Sequence, residues 1–444
     1  MKRIRDLLTR VKDRVEIQNG QLYKQVTVRM NYKGVVLRRI QDGATIGTKD
    51  QFRVTPGQFL LSKIDARNGA FGIVPEELDG AVVTNSFLAF HINENEVEPE
   101  FFNVFLQSPV FLNACRKASK GTTNRKPVDE TFFLNYDVYL PDLPEQHALI
   151  QRINQARAKI SITQHEITRQ ELLLAKLKQA ILQEAIQGKL TADWRATHPN
   201  VEPASQLLHR IQAEKARLIA AKQLRPARPL PKITPDKLPF AIPKTWEWCR
   251  LGDICGFITK GTTPAPHELK KTGDIPFLKV YNIREQKIDF NYQPQFIERR
   301  VHEGKLARSV VYPKDVLMNI VGPPLGKVAI VPEEYAECNI NQALAVFRPV
   351  DIKISQFLYL YLCEGAPIRA TVTKGVVGQD NISLTQCRAL VFPVPPLAEQ
   401  GAIVERVDAL MATCRALELE IEHARTHTAQ LLQAVLKEAF SEAS

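Results

Sequence analysis

Five short polar turns hold the side chains with the most chemical reach in this sequence. SKIDARNG carries Lys63, Arg67 and Asn68, and KGTTNRK carries Thr122, Thr123, Asn124, Arg125 and Lys126. Further on, TKGTTP carries Lys260, Thr262 and Thr263, and KVYN carries Lys279, Tyr281 and Asn282. The last, TKGVVGQDNIS, carries Lys374, Gln379, Asn381 and Ser383. Arg and Lys reach phosphates or the edge of guanine, while Asn and Gln pair bidentately with adenine. Glycine in four of the turns lets a backbone approach a duplex closely. These residues are expected to form nucleic-acid contacts.

Signals for catalysis are weaker. GPPLGKV (322–328) superficially resembles a phosphate loop, but it has one residue too few between its glycines and Val328 where Ser or Thr is needed. It also resembles the Asn/Asp-Pro-Pro-aromatic signature of adenine methyltransferases, yet Gly322 and Leu325 supply neither the amide nor the aromatic ring. No G-x-G-x-x-G run is present. His423 and His427 are spaced i, i+4, but no acidic or Cys partner shares their face, so a solvated helix face is the simpler reading. No Ser/His/Asp set stands out. A self-contained adenine methyltransferase, the rival from another class, would need the cofactor and base-pocket motifs missing here.

The elements that must position these turns are written twice. PDLPEQHALIQRI opens at Pro141 and PPLAEQGAIVERV at Pro395, and the offset of 254 holds to LKQAILQEAI and LLQAVLKEAF. Over these 47 aligned positions, 16 are identical and none is gapped. With Ile153 and Val407 as heptad a positions, the first copy places Ile153, Ile160, Ile167, Leu174 and Ile181 at a. The second places Val407, Cys414, Ile421, Thr428 and Val435 there, with Ile403, Leu410, Leu417, Ala424 and Leu431 at d. A 3.5-residue apolar period held this long predicts two coiled-coil helices, each about 65 Å long at ~1.5 Å per residue. The pattern leaves their direction open. An insertion of two residues would rotate a helix face away from its partner, so the missing gap suggests a rigid spacer.

Between the helices the chain reads as two heads and a connector. Residues 1–140 predict a mixed α/β head, with FLLSKID, FGIV and VVTNSFLAFHI as β runs. A helical stretch over 98–120 buries Phe101, Phe105, Leu106, Phe111 and Leu112. The first spacer covers 141–190 and ends at Gly188, a helix breaker. Residues 191–237 pass from an amphipathic helix, ASQLLHRIQAEKARLIAAKQ, to the Pro-rich RPARPLPKITPDKLP. A second head spans 238–394 and the second spacer 395–444. VTPGQFLLSKIDARNGAFGIVPEE (54–77) echoes VYPKDVLMNIVGPPLGKVAIVPEE (311–334) at offset 257, so the heads are related but variable.

A length of 444 residues accommodates two to four domains. A net charge of +11 favours a polyanionic partner, and the first 70 residues alone hold 15 Lys+Arg against 6 Asp+Glu. No apolar run approaches the ~18 residues of a membrane span, and MKRIRDLLTRVKDRV lacks the apolar core of a signal peptide. Seven scattered Cys without a C-x-x-C pair support neither a disulfide framework nor a zinc site, and a reducing cytoplasm fits best.

Taken together, PxLxEQxAIxxR at Pro141–Arg152 and Pro395–Arg406, GKLTADWR (188–195), EPASQLLHRIQAEKARLI (202–219), WEWCRLGDI (246–254) and GQDNIS (378–383) make the chain resemble the specificity subunit of type I restriction–modification systems. The resemblance covers essentially the whole chain. It implies an α+β fold with two target recognition domains, each reading half of a split double-stranded DNA site. It also implies that the repeated helices pack as an antiparallel coiled coil, giving pseudo-two-fold symmetry. They would set the half-site spacing and dock two methyltransferase subunits, with motor–nuclease subunits joining for restriction. The specificity subunit does no chemistry in this scheme and binds no cofactor. S-adenosylmethionine, ATP and Mg are expected on the partners, with methylation at N6 of adenine. One departure is that MKRIRDLLTR opens the first head with no counterpart of WEWCRLGDI. KGTTNRKPVD also lacks the NIS of the second head.

Overall fold

The computed structural model describes residues 1–119, 126–322, 324–369, 371, 373–374 and 380–441. Thr122, Thr123, Asn124, Arg125 and Gln379 lie outside the described residues. The chain divides into two compact units, residues 1–169 with 421–444, and residues 170–420.

In the first unit, strands β1 (Leu8–Val11), β2 (Phe59–Ser62), β3 (Phe71–Ile73) and β4 (Phe87–Ile92) form an antiparallel sheet in the order β1-β4-β2-β3. The run FLLS in β2 is buried throughout, and its first three residues are apolar, because both of its faces meet a core. Phe59 and Leu61 join the phenylalanine cluster, whereas Leu60 joins Val54 and Ala89. Around Phe111, the rings of Phe59, Phe71, Phe102, Phe105 and Phe133 lie 5.0–6.1 Å away. The stretch expected to be one helix over 98–120 is two, Pro99–Phe105 and Pro109–Ala118. Pro109 cannot continue the first helix, and Ser108 caps the second by accepting from the Phe111 amide at 3.2 Å. A five-stranded sheet packs alongside, formed by Arg14–Glu16, Asp50–Val54, Ala81–Val83, Leu22–Val28 and Val35–Asp42.

The second unit repeats the plan. Strands β5 (Cys255–Lys260), β6 (Val316–Asn319), β7 (Val328–Ile330) and β8 (Leu344–Pro349) stand in the order β5-β8-β6-β7. Beside them, Phe296–Ile297, Ile275–Leu278, Cys338–Ile340 and Val310–Val311 form a second sheet, in which 275–278 and 338–340 run parallel. The two heads also open alike, which corrects the departure noted above. In the first, Lys2–Arg3 pairs with Asp137–Val138 and leads into a short helix, Ile4–Leu7, while the Arg3 amide donates to Asp6 at 2.8 Å. In the second, Glu247–Arg250 pairs with Val391–Val394 and leads into Leu251–Ile254, while the Arg250 amide donates to Asp253 at 3.0 Å. KRIRDL is therefore the counterpart of CRLGDI, hidden because only the Arg and Asp of its cap are shared.

The spacers are two long helices, α1 (Leu143–Ile186) and, after the connector helix α2 (Ala204–Ala220), α3 (Leu397–Ser441). They pack antiparallel. The start of α1 and the end of α3 belong to the first unit, and the remainder of both belongs to the second. In the first unit Leu149, Ile153 and Ile160 face Thr428, Leu431 and Val435 across a cavity of about 500 Å³. In the second, Lys178 pairs with Glu418. Burial follows a rather than d. Ile153, Ile160, Ile167, Leu174, Ile181, Val407 and Cys414 are buried, as is Ile403 at d. Ile421, Val435 and Leu410 are half-buried. Leu417 and Leu431 stay 40% and 48% exposed, against the expectation that they close the seam. The first copy offers Ala156, Thr163 and Gln170 at d, too short or too polar to cover them. Among the described residues, no helix is long and apolar enough to cross a membrane.

Gly188 ends α1 in a left-handed conformation at φ +71°, with Lys189 donating to Glu184 and Gly188 to Ala185. A Cβ there would lie 2.8 Å from both Pro243 and Trp246. The start of the connector and the start of the second head meet at one buried carboxylate near the start of α3. Glu399 accepts from Thr191 Oγ1 at 2.7 Å, from Trp246 Nε1 at 2.8 Å and from the Arg195 guanidinium.

Candidate nucleic-acid interface

In the first head, the loops that follow β2 and precede β4 are bonded together. The Lys63 amide donates to the Ser86 carbonyl at 2.9 Å, and the Val128 amide donates to the Lys63 carbonyl at 2.8 Å. Lys63 Nζ reaches Asn85 Oδ1 at 3.1 Å. Lys63, Arg67, Asn68 and the half-buried Lys126 thus share one edge. A hairpin tip braces that edge. Asn31 and Tyr32 both adopt left-handed backbones (φ 58° and 59°), and their amides donate to Asn68 and Gly69 at 2.9 and 3.1 Å. Gly69 is itself at φ +75°, where a side chain would be strained. Desolvation raises the Tyr32 hydroxyl above the usual phenol range, with Arg116 opposing it.

In the second head, the turns likewise converge on the ends of the sheets. Lys260 closes β5 and is exposed, with the half-buried Thr262 and exposed Thr263 following. Gly261 presses so closely on Ile340 and Asn341 that a Cβ would fall 1.9 Å from the Ile340 carbonyl oxygen. The Asn341 amide donates to Leu278 at 3.0 Å, which brings in the turn of Lys279 and Tyr281. Ile320 donates to Ala343, Ile382 to Ile320, and Gly322 to Asp380, which ties in the turn of Asn381 and Ser383. Lys374 sits on the short strand Thr373–Lys374, paired with Asp380–Asn381.

Two of the expected contact residues are committed elsewhere. Asn282 is buried, accepts from the Lys279 amide at 2.9 Å, and donates to the Tyr292 and Asp289 carbonyls at 2.9 and 3.4 Å. Its amide builds the turn and faces away from solvent. Ser383 caps the helix Leu384–Ala389 by accepting from Gln386 at 3.2 Å. Thr262 Oγ1 accepts from Arg308 at 2.9 Å, so Arg308 belongs to the same edge.

Sequence reasoning missed the braces. The second head has its own hairpin tip, Glu285–Gln286 (φ 48° and 59°), 254 residues after Asn31–Tyr32. The Gln286 side chain accepts from the Val328 amide at 2.6 Å and donates to the Gly326 carbonyl at 3.5 Å. Gly326 follows Gly69 by 257, the head offset. The signal was present in YKQVTVRM-NYKG-VVLRRI, a pair of β-branched runs around an Asn-to-Gly turn. Nor did the sequence single out Tyr292, which stacks edge-on with Tyr281 at 6.1 Å. Burial lowers the Lys279 amine below the usual lysine range and raises the Tyr281 hydroxyl, with Tyr292 adding to the latter.

Residues 8–172 and 243–424 match the family described as the type I restriction modification DNA specificity domain. Among similar proteins, the type I restriction enzyme EcoAI specificity subunit of Escherichia coli is 27% identical over 380 residues, covering 76% of this chain and 63% of that protein. The EcoEI specificity subunit, also of Escherichia coli, is 25% identical over 408 residues, covering 79% and 65%. The chain thus spans just under two thirds of the length of these two relatives. Two solved structures share the fold. A chain from a type I R-M system, solved to show its complex assembly and conformational transition, superposes with a TM-score of 0.60 at 18% identity, covering 99% of this chain and 96% of that one. The HsdS subunit from Thermoanaerobacter tengcongensis does so at 0.52 and 19%, covering 99% and 95%.

Proposed function

The chain belongs to the type I restriction modification DNA specificity family, and from that premise we propose that its two heads each read one half of an asymmetric, bipartite DNA site. The observation that carries this reading is the double repeat. Each head gathers basic and amide side chains at the same end of the same sheet, and a helix of unchanging length follows each head. Dissimilar loops on equivalent scaffolds suit dissimilar half-sites, as dimer geometry sets half-site spacing in symmetric regulators. The basic surplus supplies salt-dependent affinity and the loops supply discrimination.

The helix pair is the ruler and the docking platform for two methyltransferase subunits. The half-exposed Leu417 and Leu431 support the second role, because apolar side chains left open on a rod gain by being covered. Within the complex this chain is the non-catalytic member. S-adenosylmethionine, ATP and Mg belong to the methyltransferase and motor–nuclease partners, in the cytoplasm. The test is to map methylated adenines in the host genome with and without this gene. The reading requires one split motif to lose methylation; unchanged methylation would refute it.

A further inference from the structure

The second head carries an aromatic pair for which neither the core nor the base-edge contacts account. Tyr281 and Tyr292 meet edge to face at 6.1 Å, and Tyr292 is 41% exposed. The core beneath is already closed by Ile283 and Phe290, with Val280, Ile288 and Phe296 packed against them. Both rings are held in place. The Tyr281 hydroxyl donates to the Gln293 carbonyl at 3.4 Å, and the buried Asn282 amide fixes the backbone at Tyr292. Each ring also has a cation over it. Lys279 Nζ stands 5.9 Å from the centre of Tyr281, and the Arg284 guanidinium 4.4 Å from that of Tyr292, with Asp289 3.6 Å from Arg284. The group follows directly on Leu278, at the edge where the other turns converge.

Braced aromatic faces beside two cations suit a ligand that is flat and attached to a phosphate. We propose that Tyr281 and Tyr292, flanked by Lys279 and Arg284, receive one unpaired nucleobase of the bound DNA. The inference rests on the DNA-reading function above and names a ligand of that same surface. Every base has a π-face, so such a contact is tolerant of sequence and adds affinity without choosing a letter. A base in a duplex must leave the stack before an enzyme can modify it, and a displaced base or its orphaned partner needs somewhere to rest. A comparable pair in the first head, Phe132 and Tyr136 with Lys117 over the second ring, lies elsewhere, beside the Asp137–Val138 strand that pairs with Lys2–Arg3. The equivalent tip of the first head shows one ring, Tyr32, whose neighbour Phe71 is buried.

The chain, assembled with its methyltransferase partner, is titrated with labelled duplexes carrying its own site. One duplex is fully paired; the others carry a single-nucleotide bulge at successive positions. The expected result is roughly tenfold tighter binding of a bulge at one position in one half-site only. Tyr281→Ala with Tyr292→Ala removes that preference, and Phe at both positions keeps it, because Phe retains the face and loses only the hydroxyl. Equal binding of paired and bulged duplexes would overturn the inference, as would a preference that survives the Ala pair or vanishes in the Phe pair. Failure of the wild-type assembly to prefer its paired site over unrelated DNA would instead refute the DNA-reading function itself.

Discussion

Glu399 and Arg67 separate the residues that hold this protein together from those expected to read for it. Glu399 is fully buried with three donors on its carboxylate. Glu399→Ala strands the Arg195 guanidinium, and we expect a loss of about 3–5 kcal/mol, the usual cost of breaking a buried pair from one side. Chemical denaturation of the purified chain measures it, and a change below about 1 kcal/mol would contradict the role. Arg67→Ala should relax specificity in one half-site by roughly 1–3 kcal/mol, the worth of one bidentate base contact. An equal loss of affinity on all DNA would make Arg67 a phosphate contact. The polar turns around Arg67 were legible because Gly, Asn, Arg and Lys crowd into few positions. Their convergence was not. The bonds joining Lys63 to Val128, or Ile320 to Ile382, cross more than 60 residues, and no spacing rule encodes them. Asn282 shows the opposite limit, since composition cannot tell an amide that reads from one that builds a turn.

At the scale of elements, the long helices were the most legible part of the fold. A helix face recurs every three or four residues, so the sequence displays it directly. Expected over 141–187, the first is found over Leu143–Ile186. What the heptads did not reveal is that one position does most of the burying. Ile160→Ala should cost about 2 kcal/mol, the low end for an aliphatic core residue, because a cavity already adjoins it. Leu417→Ala should change stability by no more than about 0.5 kcal/mol, as surface replacements do, yet weaken methyltransferase docking. Thermal unfolding and a pull-down with the partner separate the two. If Leu417→Ala unfolds the chain as readily as Ile160→Ala, the d positions close the seam after all. The hairpin tips were less legible, because their partners, the turns at Gly69 and Gly326, lie 37 and 40 residues away.

For the whole molecule, the proposed ruler makes the firmest demand. Inserting one heptad into both α1 and α3 lengthens each by about 10 Å, close to three base pairs of DNA. The preferred gap between half-sites should grow accordingly while the half-sites keep their identity. Methylation mapping of the variant decides it, and altered half-sites with an unaltered gap would end the ruler idea. The division into units carries one more consequence, for the order in which the chain is made. Residues 421–441 return to the unit that begins at Met1, so the first head is finished by a helix synthesised long after the head itself. During translation Ile160 must therefore wait, without its partner helix, while more than 250 further residues emerge from the ribosome. A nascent chain stalled just before Ile421 should hold a folded second head beside an open apolar stripe, the form most inviting to a chaperone.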